Sequence, residues 1–154
     1  MHFIKHAKGL YVPRGSNVKV DVASNHGGDA DAVVMQGIRR GSDYDLLCIM
    51  YDTDISTLSV EVRKFARDEG VILVEGSPAH EAMLLSILRP GSLYSHKTTD
   101  WCKKEFHRNY ISERDRTDVS RYGLFTREIL ENNRNSIPEL DAILTALEGR
   151  RWEE

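Results

Sequence analysis

The sequence predicts an α/β protein: a mostly parallel, Rossmann-like sheet with flanking helices, followed by a helical C-terminal half. Three observations predict it. Leu46 to Tyr51 is an apolar run without a single charge, as expected of a strand buried on both faces of a parallel sheet. Strand-like and helix-like periodicities alternate through the first half of the chain, the pattern of strand–helix–strand units. Beyond Gly76 only helical periodicity remains.

After an irregular opening, Val18 to Ala23 alternates, with Val18, Val20 and Val22 on one face and Lys19 and Asp21 on the other, which predicts a first strand. Ser24 to Gly28 reads as a turn. Asp29 then opens a helix whose apolar residues Ala30, Val33, Val34, Gly37 and Ile38 share one side, and Arg39, Arg40 and Gly41 close it. The apolar strand at 46–51 follows. Asp54 to Thr57 offer caps for a helix with a buried stripe of Leu58, Val62, Phe65 and Ala66, stopped by Gly70. Val71 to Glu75 is the third predicted strand.

Gly76-Ser77-Pro78 leads into a helix from Ala79 to Leu88 that is apolar nearly all round, and Pro90-Gly91 breaks it. Further helices are predicted over about 98–110 and about 119–131, the latter carrying Tyr122, Phe125, Ile129 and Leu130 in helical period. A capping box, Ser136-Ile137-Pro138-Glu139, starts the last one, with Leu140, Ile143, Leu144 and Leu147 on its buried side. Arg151 to Glu154 are expected to fray.

At 154 residues the chain has the length of one domain, 1–154, with its core at about 17–90 and a helical part at about 97–149. No run approaches the roughly 20 apolar residues of a membrane span, which excludes a helical membrane protein as a reading. The opening residues are too short and too basic for a signal peptide. With only Cys48 and Cys102 available, reduced thiols and a cytoplasmic location are expected.

The formal net charge of −3 conceals a basic segment between Lys97 and Arg127, interleaved with Trp101, Phe106 and Tyr110. Such a segment suits a phosphate backbone, with Lys103, Lys104 and Arg108 as candidate nucleic-acid contacts. The same charges also suit solvated helix faces partnered by Glu105, Glu113, Asp115 and Asp118.

The candidate site is acidic. In a parallel sheet, ligands collect at the carboxyl ends of the strands. Asp52 and Asp54 follow the apolar strand at i, i+2, so in extended backbone they project together, about 6–7 Å apart at Cα. Converging carboxylates repel unless a cation, a basic group or a proton intervenes, and a hard ion, Mg²⁺ or Mn²⁺, is one remedy. Both acids equally suit the start of the next helix. Glu81 shares its helical face with Leu84, Leu85 and Leu88, so its carboxylate needs a partner: the same ion, an arginine, or the helix dipole. Gly27-Gly28 at a helix start is a generic anion site or a plain turn, and the full dinucleotide-binding glycine pattern is missing. His80 could be a ligand, a phosphate contact or a structural histidine. Cys102, His107 and His96 do not form a zinc spacing.

These segments, in order, resemble the RloB-like family: Asn17-Val18-Lys19-Val20-Asp21, Gly27-Gly28-Asp29, Tyr44-Asp45 through Tyr51-Asp52-Thr53-Asp54, and Gly76-Ser77-Pro78-Ala79-His80-Glu81. The resemblance spans about residues 17 to 90. It implies a Toprim-type domain associated with bacterial restriction and antiphage defence, a nuclease-type hydrolase acting on nucleic-acid phosphodiesters. It further implies Mg²⁺ or Mn²⁺ at Asp52, Asp54 and Glu81 as catalytic and metal-binding residues, and a defence-system partner such as an ATPase. The family's first strand ends in a glutamate, whereas here no glutamate precedes Glu61. The alternative is therefore a catalytically degenerate nucleic-acid-binding or regulatory module of the same fold.

Overall fold

The computed structural model describes residues 1–15, 19–24, 28–54, 56–92, 94 and 96–150. Two parallel strands, β1 (Cys48–Asp52) and β2 (Ile72–Gly76), pair in register from Cys48 with Ile72 to Asp52 with Gly76. Both of their faces are covered. Ile49, Tyr51 and the part-buried Leu73 face a small layer made by α2 (Ala30–Gly41) and α3 (Val60–Asp68). Cys48, Met50, Ile72 and Val74 face the main core, built from α1 (His2–Tyr11), α4 (His80–Leu88), α5 (Thr99–Asn109), α6 (Arg127–Arg134) and α7 (Pro138–Leu147). The charge-free run at 46–51 is the signature of this double burial. The α/β class and the parallel pairing are thus as expected. The sheet, at two strands among the described residues, is smaller than expected, and helix dominates.

The predicted strand at Val18–Ala23 is a correction. Residues 19–24 carry no strand, and Val18 lies outside the described residues, as do Asn25 to Gly27 of the predicted turn. The carbonyl of Val20 accepts from Lys8 Nζ at 2.6 Å, and Asp21 accepts from the Tyr44 hydroxyl. Side chains, not a neighbouring strand, thus claim this segment. Val20 alone of its alternating valines packs on the main core among the described residues.

The opening is helical, not irregular. Phe3, Ala7 and Tyr11, spaced i, i+4, i+8, bury the inner face of α1. Asp29 caps α2 as expected, accepting from Ala32 N at 2.8 Å. The cap of α3 is Ser59, beyond the predicted 54–57, and Asp31 of α2 holds the Ser59 N–H at 2.8 Å. Phe65 stays 40% exposed and Leu58 lies before the Ser59 cap, so of the predicted stripe only Val62 and Ala66 sit on the inner side of α3, with Leu58 packed beside them from the preceding segment. Gly70, at φ +70°, supplies the left-handed residue that stops α3.

α4 runs through the middle of the main core, with Glu81 to Leu85 and Ile87 buried. The helix predicted over 119–131 divides into a 3₁₀ turn, Val119–Leu124, and α6. Each piece has its own cap: Asp118 accepts from Ser120 N at 2.9 Å and Thr126 from Ile129 N at 3.3 Å, while Phe125 between them is fully buried. The capping box at Ser136 is also corrected. Ile137, buried at 9% exposure, occupies the cap position without a side-chain bond, and Pro138 follows at the first turn, where a missing N–H costs nothing. Residues 151–154 lie outside the described residues.

Candidate functional site

Asp52 is the last residue of β1, directly opposite Gly76, the last residue of β2. From Gly76 the chain passes through Ser77, Pro78 and Ala79 into α4. The turn is tight enough that a Cβ on Gly76 would sit 2.5 Å from Asp52 Oδ1 and 2.9 Å from the His80 nitrogen. Glycine therefore allows Asp52 to lean across β2 onto the start of α4. There its Oδ1 accepts the His80 backbone N–H at 2.9 Å. The cap residue Ala79 has no side chain to do this, so a carboxylate from another element caps α4.

The His80 ring joins the two acids. Its Nδ1 lies 3.8 Å from Asp52 Oδ2 and 3.4 Å from Glu81 Oε2. The imidazole is about a third exposed, while Glu81 is 5% exposed. The contact with Glu81 is close enough for electrostatic attraction but lacks hydrogen-bond alignment. Glu81 Oε2 is buried and has no hydrogen-bond partner among the described residues. An oxygen in that state is costly in a folded protein unless something else satisfies it. Burial pushes the Asp52 carboxyl up, but the contacts with His80, aided by Lys103, outweigh it and hold the group below its usual range.

Two core side chains lie within electrostatic reach of Glu81. The Cys102 thiol is pushed up by burial and then by Glu81, and the Tyr122 hydroxyl is raised in the same order. The nitrogen of Met1, at the positive end of α1, is also in electrostatic reach of Glu81 and Asp52. His2 beside it stacks loosely on Tyr122, ring centroids 6.5 Å apart, and its Nδ1 is buried without a partner among the described residues.

Asp54 does not join this cluster. The i, i+2 projection requires strand geometry through Asp54, but β1 ends at Asp52, and the Asp54 carboxylate turns instead to Lys103 Nζ at 3.9 Å. Asp52 and Glu81 thus come together around His80, and Asp54 is drawn to α5. Among the described residues no three His, Cys, Asp or Glu side chains stand together as a ready-made metal site. Mg²⁺ does not need one: it is commonly held by one or two carboxylates, with water and substrate phosphate completing its shell. The oxygen ligands the site could offer such an ion are the carboxylates of Asp52 and Glu81 on either side of His80.

Of the basic candidates, Lys103 is engaged with Asp54. Lys104 reaches Asp100 at 2.7 Å with both side chains largely exposed, and Arg108 is exposed on the outer side of α5. Further along, Arg116 pairs with Glu113, and Arg121 lies between Asp115 and Asp118, so that part is a self-paired solvated face. Sequence reasoning undervalued His80 and gave Gly76 no site role. The signal for both was an acid-bearing strand end followed by Gly-Ser-Pro, which implies a close crossing. No family model, no curated protein and no solved structure matches this chain.

Proposed function

We propose that this chain is a Toprim-type, RloB-like domain that acts on nucleic-acid phosphodiesters with Mg²⁺ or Mn²⁺, in restriction-associated or antiphage defence. The observation that carries this reading is the buried Glu81 carboxylate with an unsatisfied oxygen, next to Asp52 at the carboxyl edge of a parallel sheet. Asp52 and Glu81 would hold the ion, with Asp54 as a flanking acid kept in place by Lys103. A bound divalent ion would supply charge neutralisation at the phosphodiester and a more acidic water.

The chain's own residues have defined tasks in this reading. His80 stands between the two carboxylates, its Nδ1 within 3.8 Å of Asp52 and 3.4 Å of Glu81. Its backbone N–H fixes one oxygen of Asp52, Oδ1, while the other, Oδ2, faces the His80 ring at 3.8 Å. The apolar body of α4 and the surrounding core keep water from Glu81.

The alternative, a catalytically degenerate nucleic-acid-binding or regulatory module, draws on a different observation: His80 and Lys103 already place basic groups against the acids. Cleavage assays on plasmid DNA and on RNA, with Mn²⁺, Mg²⁺ or EDTA, separate the two. Metal-dependent cleavage that disappears in Asp52→Asn and Glu81→Gln supports the hydrolase. Equal cleavage by wild type and both variants, or binding without cleavage, removes it. A cytoplasmic setting and an ATPase partner belong to the same proposal.

A further inference from the structure

α5 carries its basic residues in an ordered way. Cys102 and Phe106 face the core, Lys103 turns to Asp54, and Glu105 turns to Arg89 at 2.7 Å. Trp101, Lys104 and Arg108, spaced i, i+3, i+7, are left together on the outer face, and all three are exposed. The ridge they form is about 10 Å long, from the rise of a helix. At the start of the same helix, on the side turned toward the protein body, Thr99 Oγ1 donates to the Pro78 carbonyl at 3.5 Å.

Trp101 is 36% exposed, yet its ring is held in place. The buried Tyr94 stacks against it with centroids 5.9 Å apart and planes 23° from parallel. Lys97 Nζ lies over the indole, 5.1 Å from the centroid. An ammonium in that position is held by the ring's electron-rich face and is readily exchanged for another partner at an exposed site. The exposed Lys104–Asp100 pair is similarly weak, so Lys104 can turn to a phosphate at little cost.

We infer that this ridge is a track for single-stranded nucleic acid, with Trp101 as the stacking platform for one base and Lys97, Lys104 and Arg108 as its phosphate contacts. The inference rests on the nucleic-acid reading above and adds to it the form of the substrate and the residue that selects it. A duplex hides its base faces within its own stack, whereas a single strand offers them to an aromatic ring. As a base settles on the indole, the Lys97 ammonium moves off the ring to the flanking phosphate.

The test is fluorescence anisotropy of labelled oligothymidine, alone and hybridised to oligoadenosine, in EDTA so that no cleavage intervenes. The single strand should bind at least about tenfold more tightly than the duplex, and Trp101→Ala should weaken it about tenfold, within the range for one stacked base. Trp101→Phe, which keeps a ring, should retain most of the affinity. The double variant Lys104→Ala/Arg108→Ala should flatten the salt dependence by roughly 1.4, two phosphate contacts on a single strand. Equal affinity for duplex and single strand, or Trp101→Ala binding as well as wild type, overturns the inference. The outcomes separate it from the hydrolase reading: binding with these properties but no cleavage sinks only the latter, and cleavage with Trp101-independent binding sinks only the track.

Discussion

The Asp52 carboxylate caps α4, a helix it does not belong to: its Oδ1 accepts the His80 backbone N–H at 2.9 Å. This gives Asp52 a structural duty alongside any catalytic one, and the two separate by substitution. Asp52→Ala leaves a helix-start N–H unpaired and should lower stability by about 1–3 kcal/mol. Asp52→Asn keeps an acceptor and should lose less than half of that. Urea denaturation of both variants measures the difference. If Asp52→Ala unfolds at the wild-type midpoint, the cap contributes nothing.

Gly76 makes that contact geometrically available. A methyl group there would meet Asp52 Oδ1 at 2.5 Å and the His80 and Ala79 backbone at 2.9 and 3.2 Å. Backbone on one side leaves little room to yield, so Gly76→Ala should cost about 1–3 kcal/mol, as overpacking does. The expected signature is a lowered melting temperature together with loss of the Asp52–His80 contact. A variant as stable as wild type would mean that the two strand ends can spread freely.

Arg134 ties α6 to α7 from a position where its side chain is 12% exposed. It donates to Asp141 at 2.6 Å, to Thr145 at 2.8 Å and to both oxygens of Glu148 at 3.0 Å. A planar fork fits this arrangement and a single ammonium does not. Arg134→Lys should therefore recover little of what Arg134→Met loses, about 1–3 kcal/mol given the partial exposure of the acids. Thermal unfolding of the pair checks it, and full recovery by lysine would reduce the cluster to simple charge.

The same cluster sets a pH dependence. Arg134 holds the Glu148 carboxyl below its usual range, against the upward push of burial, with Arg150 adding to the effect. A depressed folded-state value means that unfolding takes up a proton. The stabilisation is therefore complete above the unfolded carboxyl value of roughly 4.3 and is lost as pH falls through the lower folded-state value. Urea midpoints measured from neutral pH downward should show a shallower acid decline in Glu148→Gln than in wild type. Parallel curves would show that Glu148 titrates alike in both states.

The sequence was most legible where structure depends on residue types a few positions apart. The apolar run before Asp52 marked a strand covered on both faces, Asp29 marked a helix start, and Gly70 marked a helix end. Long-range competition hid the rest. The valine alternation at 18–23 looks like a strand, yet Lys8, twelve residues before Val20, takes a carbonyl the ladder would need. Asp118 and Thr126 cut one helical pattern into two because Phe125 is needed in the core between them. At the site, the approach of Asp52 to Glu81 followed from two parallel strands ending at one edge. The turning away of Asp54 did not, because it depends on where β1 stops and on a lysine from α5.

The ion-binding role proposed for Glu81 sets stability against function. Its Oε2 is buried and unsatisfied among the described residues, so without an ion the carboxylate burdens the fold. An apolar side chain of similar volume does not carry the desolvation penalty of a buried oxygen without a hydrogen-bond partner. Glu81→Met should accordingly be more stable than wild type by about 1–2 kcal/mol in EDTA, the gain expected when a functional strain is removed. Mn²⁺ should reverse the order. A ligand that binds only the folded state raises its stability, so excess Mn²⁺ should lift the wild-type melting temperature and leave Glu81→Met unmoved. Scanning calorimetry of both proteins, with and without Mn²⁺, reads the two effects independently. A destabilised Glu81→Met would mean that His80 already satisfies the carboxylate. A wild-type protein indifferent to Mn²⁺ would take the ion away from this pocket.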